Sequence, residues 1–117
     1  MAGKLSTHVL DTVSGKPAGG MRVQLYWIEP HAEVLLRATV TNADGRTDGP
    51  MIDGERFSAG TYKLVFHVGE YFAHLNHPDA KRFLDCVPLV FIIEDATQGY
   101  HVPLLVSPWA YSTYRGS

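Results

Sequence analysis

Apolar residues recur at every second position through most of the chain. In 21–28, MRVQLYWI, Met21, Val23, Leu25 and Trp27 share one parity, with Arg22 and Gln24 between them. In 33–41, EVLLRATVT, Val34, Leu36, Ala38 and Val40 do the same. In 60–68, GTYKLVFHV, Tyr62, Leu64, Phe66 and Val68 oppose Thr61, Lys63 and His67. A period of two marks strands that bury one face. The stretch 87–93, VPLVFII, is apolar throughout and predicts a strand covered on both sides. Turn-forming stretches, among them SGKPAGG, NADGRTDGP and DGERFSAG, separate these runs. One helix is predicted within GEYFAHLNHPDAKRFL, lasting a turn or two before Pro78 interrupts it. Seven to eight short strands and one short helix predict an all-β, two-sheet antiparallel sandwich.

Composition adds exclusions. A chain of 117 residues suits a single domain, here 1–117, and 45% hydrophobic residues suffice for a core. A net charge of −2 gives no reason to expect nucleic acid or an anionic membrane as partner. The single cysteine, Cys86, excludes an internal disulfide and any multi-thiolate metal site. No run of 18 apolar residues is present, and MAGKLSTHV lacks the apolar centre of a secretory signal, so a cytoplasmic protein is expected.

Chemistry is sought where strands break their own pattern. The stretch LSTHVLDTV puts Ser6, His8, Leu10 and Thr12 on one face. In YHVPLLVS, Tyr100, Val102, Leu104 and Val106 take the core face, leaving His101, Pro103 and Leu105 outward. The closing strand AYSTYR puts Ser112 and Tyr114 on one face and Tyr111, Thr113 and Arg115 on the other. An outward surface this apolar, dotted with histidine and hydroxyls, predicts an oligomer interface containing a pocket. Of six histidines, His31, His67, His74 and His77 fall in turns, on a polar strand face or around the helix, and are read as structural or surface residues. His8 and His101 differ, because both interrupt faces of aliphatic and hydroxyl residues. There is no HExxH or CxxC spacing, which argues against zinc. Composition by itself makes Arg46 a solvated loop residue. The ending YSTYRGS carries far more hydrogen-bonding chemistry than a frayed tail needs.

Three stretches together, LSTHVLDTVSGKPA, NADGRTDGP and YHVPLLVSPWAYSTYRGS, resemble the transthyretin-related proteins, and within them the 5-hydroxyisourate hydrolase branch. The resemblance runs from Leu5 to Ser117. It implies two four-stranded sheets with the helix after the fifth strand, and a homotetramer, a dimer of dimers, enclosing a central channel. It implies ring opening of 5-hydroxyisourate without metal or cofactor. Carried over by position, His8, Arg46 and His101 would be catalytic, and Ser112, Tyr114, Arg115, Gly116 and Ser117 would contact substrate or close the pocket floor. Hormone carriers of the same scaffold lack these histidines and the YRGS ending; a small-molecule carrier is the alternative reading. One departure is Gly99, where many hydrolases have a further histidine.

Overall fold

The computed structural model describes residues 3–117. Its strands are β1 (Lys4–Ser6), β2 (Val9–Asp11), β3 (Lys16–Pro17), β4 (Arg22–Glu29), β5 (Ala32–Val40), β6 (Ile52–Asp53), β7 (Gly60–His67), β8 (Cys86–Ile93), β9 (Tyr100–His101), β10 (Leu104–Val106) and β11 (Tyr111–Thr113). A 3-10 turn, Gly54–Arg56, precedes β7, and the helix α1 is Val68–His74. One layer is the antiparallel sheet β5-β4-β7-β8. The facing layer comes in two parts, β6-β1-β9 and β11-β10-β2-β3. The expected first strand is thus β1 and β2 in succession, and the expected penultimate strand is β9 and β10. With β1 and β2 counted together, α1 follows the sixth strand, the short β3 being the one beyond the expected five.

Within an otherwise antiparallel arrangement, the first and penultimate strands run parallel, with Ser6 beside His101 and Val9 beside Leu104. Most of the chain lies between them, so no tight turn forces the antiparallel sense. Pro103 explains the break beside β11. His101 pairs with Gly116 and Leu104 with Thr113 in one register. Pro103 has no N–H to give the last strand between these pairs; its carbonyl accepts the Thr113 hydroxyl at 2.7 Å instead.

The alternating faces of β4 and β7 build the core. Val23, Leu25, Tyr62, Leu64 and Phe66 are fully buried against Leu5, Val9, Leu104 and Val106 of the other layer. Asp11 is buried too, accepting the backbone N–H groups of Val13 and Ser14 and the hydroxyl of Tyr71. That last bond ties α1 to β2, and burial with the Asp11 contact pushes the Tyr71 phenol up to about 12.

Two expectations are corrected. In β5 the register shifts opposite Leu25 and Tyr26, which leaves Leu36 as the extra residue of a bulge. Arg37 and Thr39, paired with Leu25 and Val23, therefore face inward, while Ala38 and Val40 turn out. The uniformly apolar β8 is an edge strand covered on one face only, with Val90 and Ile92 64% and 69% exposed.

Candidate active site

The outward face of the divided layer brings four backbone stretches side by side: Gly116, His101, the Ser6–His8 segment and Arg46. His8 lies between β1 and β2. Its neighbours Thr7 and Val9 point inward and are buried, and the Thr7 hydroxyl donates to the Val102 carbonyl at 2.7 Å. Alternation then sends the His8 ring outward. Its Nε2 lies 2.8 Å from the Asp44 carbonyl oxygen. A carbonyl only accepts, so Nε2 carries the hydrogen and Nδ1 of the neutral ring is bare.

Arg46 pairs with His8 in an antiparallel bridge. The turn that delivers it is built by its sequence. The Asn42 Oδ1 accepts the backbone N–H groups of Asp44 at 2.9 Å and Arg46 at 3.3 Å. Gly45 takes φ +73°, and a Cβ there would lie 2.4 Å from the Val9 carbonyl oxygen, so only glycine fits. Further along, the inward-turned Arg37 donates to the carbonyls of Asp48 and Pro50 at 2.9 and 2.5 Å. The ion pairs among the described residues are Arg22–Glu70, Lys63–Glu33 and Arg82–Asp79, and Arg46 belongs to none of them.

His101 is held on two sides. Its N–H donates to the Gly116 carbonyl at 3.1 Å, and the Gly116 N–H returns a bond to the His101 carbonyl at 2.6 Å. Its Nδ1 lies 2.8 Å from the Ser6 hydroxyl. Burial, then the positive charge of Arg46, then His8, hold the His101 imidazole below its ordinary value of 6.5. These causes favour the neutral ring. The site thus presents two imidazoles and an arginine without an acidic partner. Among the described residues no three His, Cys, Asp or Glu side chains gather closely enough to hold a metal ion.

The other expected contacts are placed as follows. Gly116 abuts the His101 ring: a Cβ at 116 would meet Cδ2 at 3.3 Å. Ser112 pairs with Leu105, about 13 Å along the strand from His101 at 3.3 Å per residue. There it lines a shallow cavity of about 260 Å³ with Thr12, Leu105 and Tyr111. Tyr114 is 60% exposed and, with Arg115, borders a different cleft of about 440 Å³ against Leu89, Val90 and Tyr100. The Arg115 guanidinium lies 4.2 Å over the Tyr100 ring and donates to Gln98 and the Gly99 carbonyl. Ser117 is exposed. Neither Ser6 nor the Asp44 carbonyl stood out from the sequence as part of the site. For Ser6 the signal was available, since it shares parity with His8.

Fold and site together define a small transthyretin-type β-sandwich carrying a polar histidine–arginine surface. The chain belongs to the HIUase/Transthyretin family, whose model matches residues 5–116. It is 55% identical over 118 residues to 5-hydroxyisourate hydrolase 2 of Rhizobium meliloti (strain 1021), covering 99% of this chain and 98% of that relative. The crystal structure of (S)-allantoin synthase superposes with a TM-score of 0.93 at 47% identity, over 99% of this chain but only 44% of that longer one. Sea bream transthyretin in complex with thyroxine superposes with a TM-score of 0.87 at 25% identity, covering 97% of this chain and 94% of that one.

Proposed function

We propose that this protein is a hydrolase that opens the six-membered ring of 5-hydroxyisourate to 2-oxo-4-hydroxy-4-carboxy-5-ureidoimidazoline, a step of urate breakdown. The observation that carries the site assignment is the adjacency of His8, Arg46 and His101 on bridged strands of one outward face. In the reaction one water adds across a ring amide. The water oxygen bonds to the carbonyl carbon, the C–N bond breaks, and the departing nitrogen takes a proton. A neutral imidazole removes the water proton; His8, with Nδ1 bare, and His101, kept neutral beside Arg46, are both equipped for it. The second imidazole relays the proton to the nitrogen. Arg46 offers a planar, permanently charged donor fork to the urea-like oxygens and to the developing oxyanion.

The substrate site is completed by assembly. Val90, Ile92 and Tyr111 are exposed on one chain, and large exposed apolar side chains of this kind suit an interface. A homotetramer, a dimer of dimers, covers these faces and encloses the histidine surface in a channel, with Ser112, Tyr114 and Gly116–Ser117 at its walls and floor. Cytoplasmic placement fits the exposed, unpaired thiol of Cys86. The carrier reading draws on the shared fold alone. The deciding experiment generates 5-hydroxyisourate with urate oxidase and follows its ultraviolet decay. Acceleration by the protein supports the hydrolase, and none above buffer at neutral pH leaves the carrier.

A further inference from the structure

Ser6 sits on β1 directly beside His101 on β9, in register. Its Oγ is 2.8 Å from Nδ1 of the imidazole, a partly buried bond joining residues 95 positions apart. Both ends of this bond are fixed by backbone. The Ser6 carbonyl accepts the Val102 N–H at 2.9 Å, and His101 exchanges two hydrogen bonds with Gly116. Seryl Oγ hangs from a single rotatable bond on a paired strand, so the distance to Nδ1 has little freedom to drift.

The two histidines are supported in different ways. His8 donates to a backbone carbonyl, which accepts and does nothing else. His101 faces a hydroxyl, which both donates and accepts. When Nδ1 is bare, the Ser6 O–H donates to it. In that tautomer Nε2 carries the hydrogen and can only donate; with Nε2 bare to act as base, and in the imidazolium formed when Nε2 takes the proton, Nδ1–H donates to Oγ. The same contact therefore survives a change of protonation at His101 without any movement of the ring. The other groups facing His101 leave this place to Ser6. Gly116 lies against the ring but hydrogen-bonds only the backbone, Arg46 acts through its charge, His8 Nε2 is bonded to the Asp44 carbonyl, and the Arg115 guanidinium is turned over Tyr100.

We propose that Ser6 is a positioning residue of the reaction: it grips Nδ1 of His101, leaves Nε2 directed at the substrate, and keeps a hydrogen bond through both states of the proton transfer. The proposal rests on His101 acting as base or relay, as assigned above. Ser6 acts through His101 and touches no reacting atom.

The test compares the wild-type protein with Ser6→Ala, Ser6→Thr and His101→Ala, following 5-hydroxyisourate decay across pH and the ring-nitrogen NMR shifts of His101. Ser6→Ala is expected to lower kcat roughly 10- to 100-fold with KM within about twofold, as loss of an orienting hydrogen bond does. It should also move the low-pH limb of the profile and change the His101 tautomer populations. Ser6→Thr, which keeps the hydroxyl, should return kcat to within about threefold of wild type. If His101→Ala is itself fully active, the assignment of the site falls. If His101→Ala is inactive while Ser6→Ala keeps wild-type kcat and pH profile, the site stands and the role of Ser6 is overturned. Loss of activity in Ser6→Ala with unchanged His101 nitrogen shifts and no rescue by threonine also overturns it, leaving Ser6 as packing.

Discussion

Gly116 and His101 exchange both backbone hydrogen bonds, at 2.6 and 3.1 Å, and a Cβ on residue 116 would stand 3.2 Å from Cβ of His101 and 3.3 Å from Cδ2 of its ring. The glycine therefore serves close approach to the imidazole. An alanine requires the ring to give by a few tenths of an ångström, and a valine requires more. Gly116→Val should cost at least about tenfold in kcat, because a base displaced by a fraction of an ångström loses alignment with its water. The midpoint of thermal unfolding should barely move, since the buried core lies elsewhere. An unchanged kcat would show that the imidazole is not held by this contact.

His8→Ala, Arg46→Ala and His101→Ala should each lower kcat/KM by roughly a hundredfold or more, the scale of a lost general base or of a lost oxyanion donor. His31→Ala and His74→Ala should leave turnover near wild type. A loss at His74→Ala equal to that at His101→Ala, in a folded protein, would move the site elsewhere.

The pH dependence follows from the neutral state of His101. Burial and the Arg46 charge hold its imidazole below 6.5, so the base form persists to lower pH than a free histidine allows. Turnover should therefore persist to lower pH than an unperturbed histidine allows, with the limb centred below 6.5. Arg46→Gln removes the permanent charge among these causes, and the limb should move up toward the ordinary histidine value. Stability has the same sign: because the unfolded chain takes up the proton first, a depressed histidine costs stability as pH falls from its ordinary value of 6.5 toward its lowered one, and no more beyond that. A limb centred above 6.5 in the wild type would contradict the environment described for His101.

Arg115 is placed by contacts of its own. Its guanidinium covers the Tyr100 ring at 4.2 Å and holds the Gly99 carbonyl, which anchors the segment carrying Gly116. Arg115→Ala should raise KM and lower kcat together by loosening that segment. Arg115→Lys should recover part of the loss, because an ammonium keeps the cation–π contact, about 0.5–1 kcal/mol, but not the forked donor. Full recovery with lysine would mean that charge alone is required.

Much of this was legible from alternation alone. Tyr62, Leu64 and Phe66 all turned out fully buried because β7 is a central strand whose two faces meet unlike surroundings. The same parity set Ser6, His8 and Leu10 on one face. Alternation failed in β5, where the bulge at Leu36 exchanges the two faces, since an inserted residue leaves no mark on the hydrophobic pattern until the partner strand is known. It also failed at β8, whose apolar outer face has no cover within one chain. Arg46 was invisible to composition. Its place depends on Gly45 and Asn42 folding a turn against Val9, and only the motif resemblance pointed there.

That turn supplies the last prediction. Gly45 has φ +73°, and a Cβ would fall 2.4 Å from the carbonyl oxygen of Val9, a backbone atom that cannot move aside cheaply. The same glycine's own carbonyl accepts the Val9 N–H at 2.8 Å, so the turn and β2 are locked together one residue away from Arg46. Gly45→Ala should therefore do two separable things. Left-handed strain costs about 1–2 kcal/mol, and the clash adds to it, so the unfolding midpoint should drop by on the order of 5–10 °C. At a temperature where the variant is fully folded, kcat should still fall at least about tenfold, because Arg46 moves with the turn. Gly20→Ala supplies the control. It has a comparable φ of +84° with nothing within 4 Å of the added Cβ, so it should show the strain in its unfolding midpoint and keep its turnover. Equal turnover in the two variants would separate the position of Arg46 from the geometry of this turn.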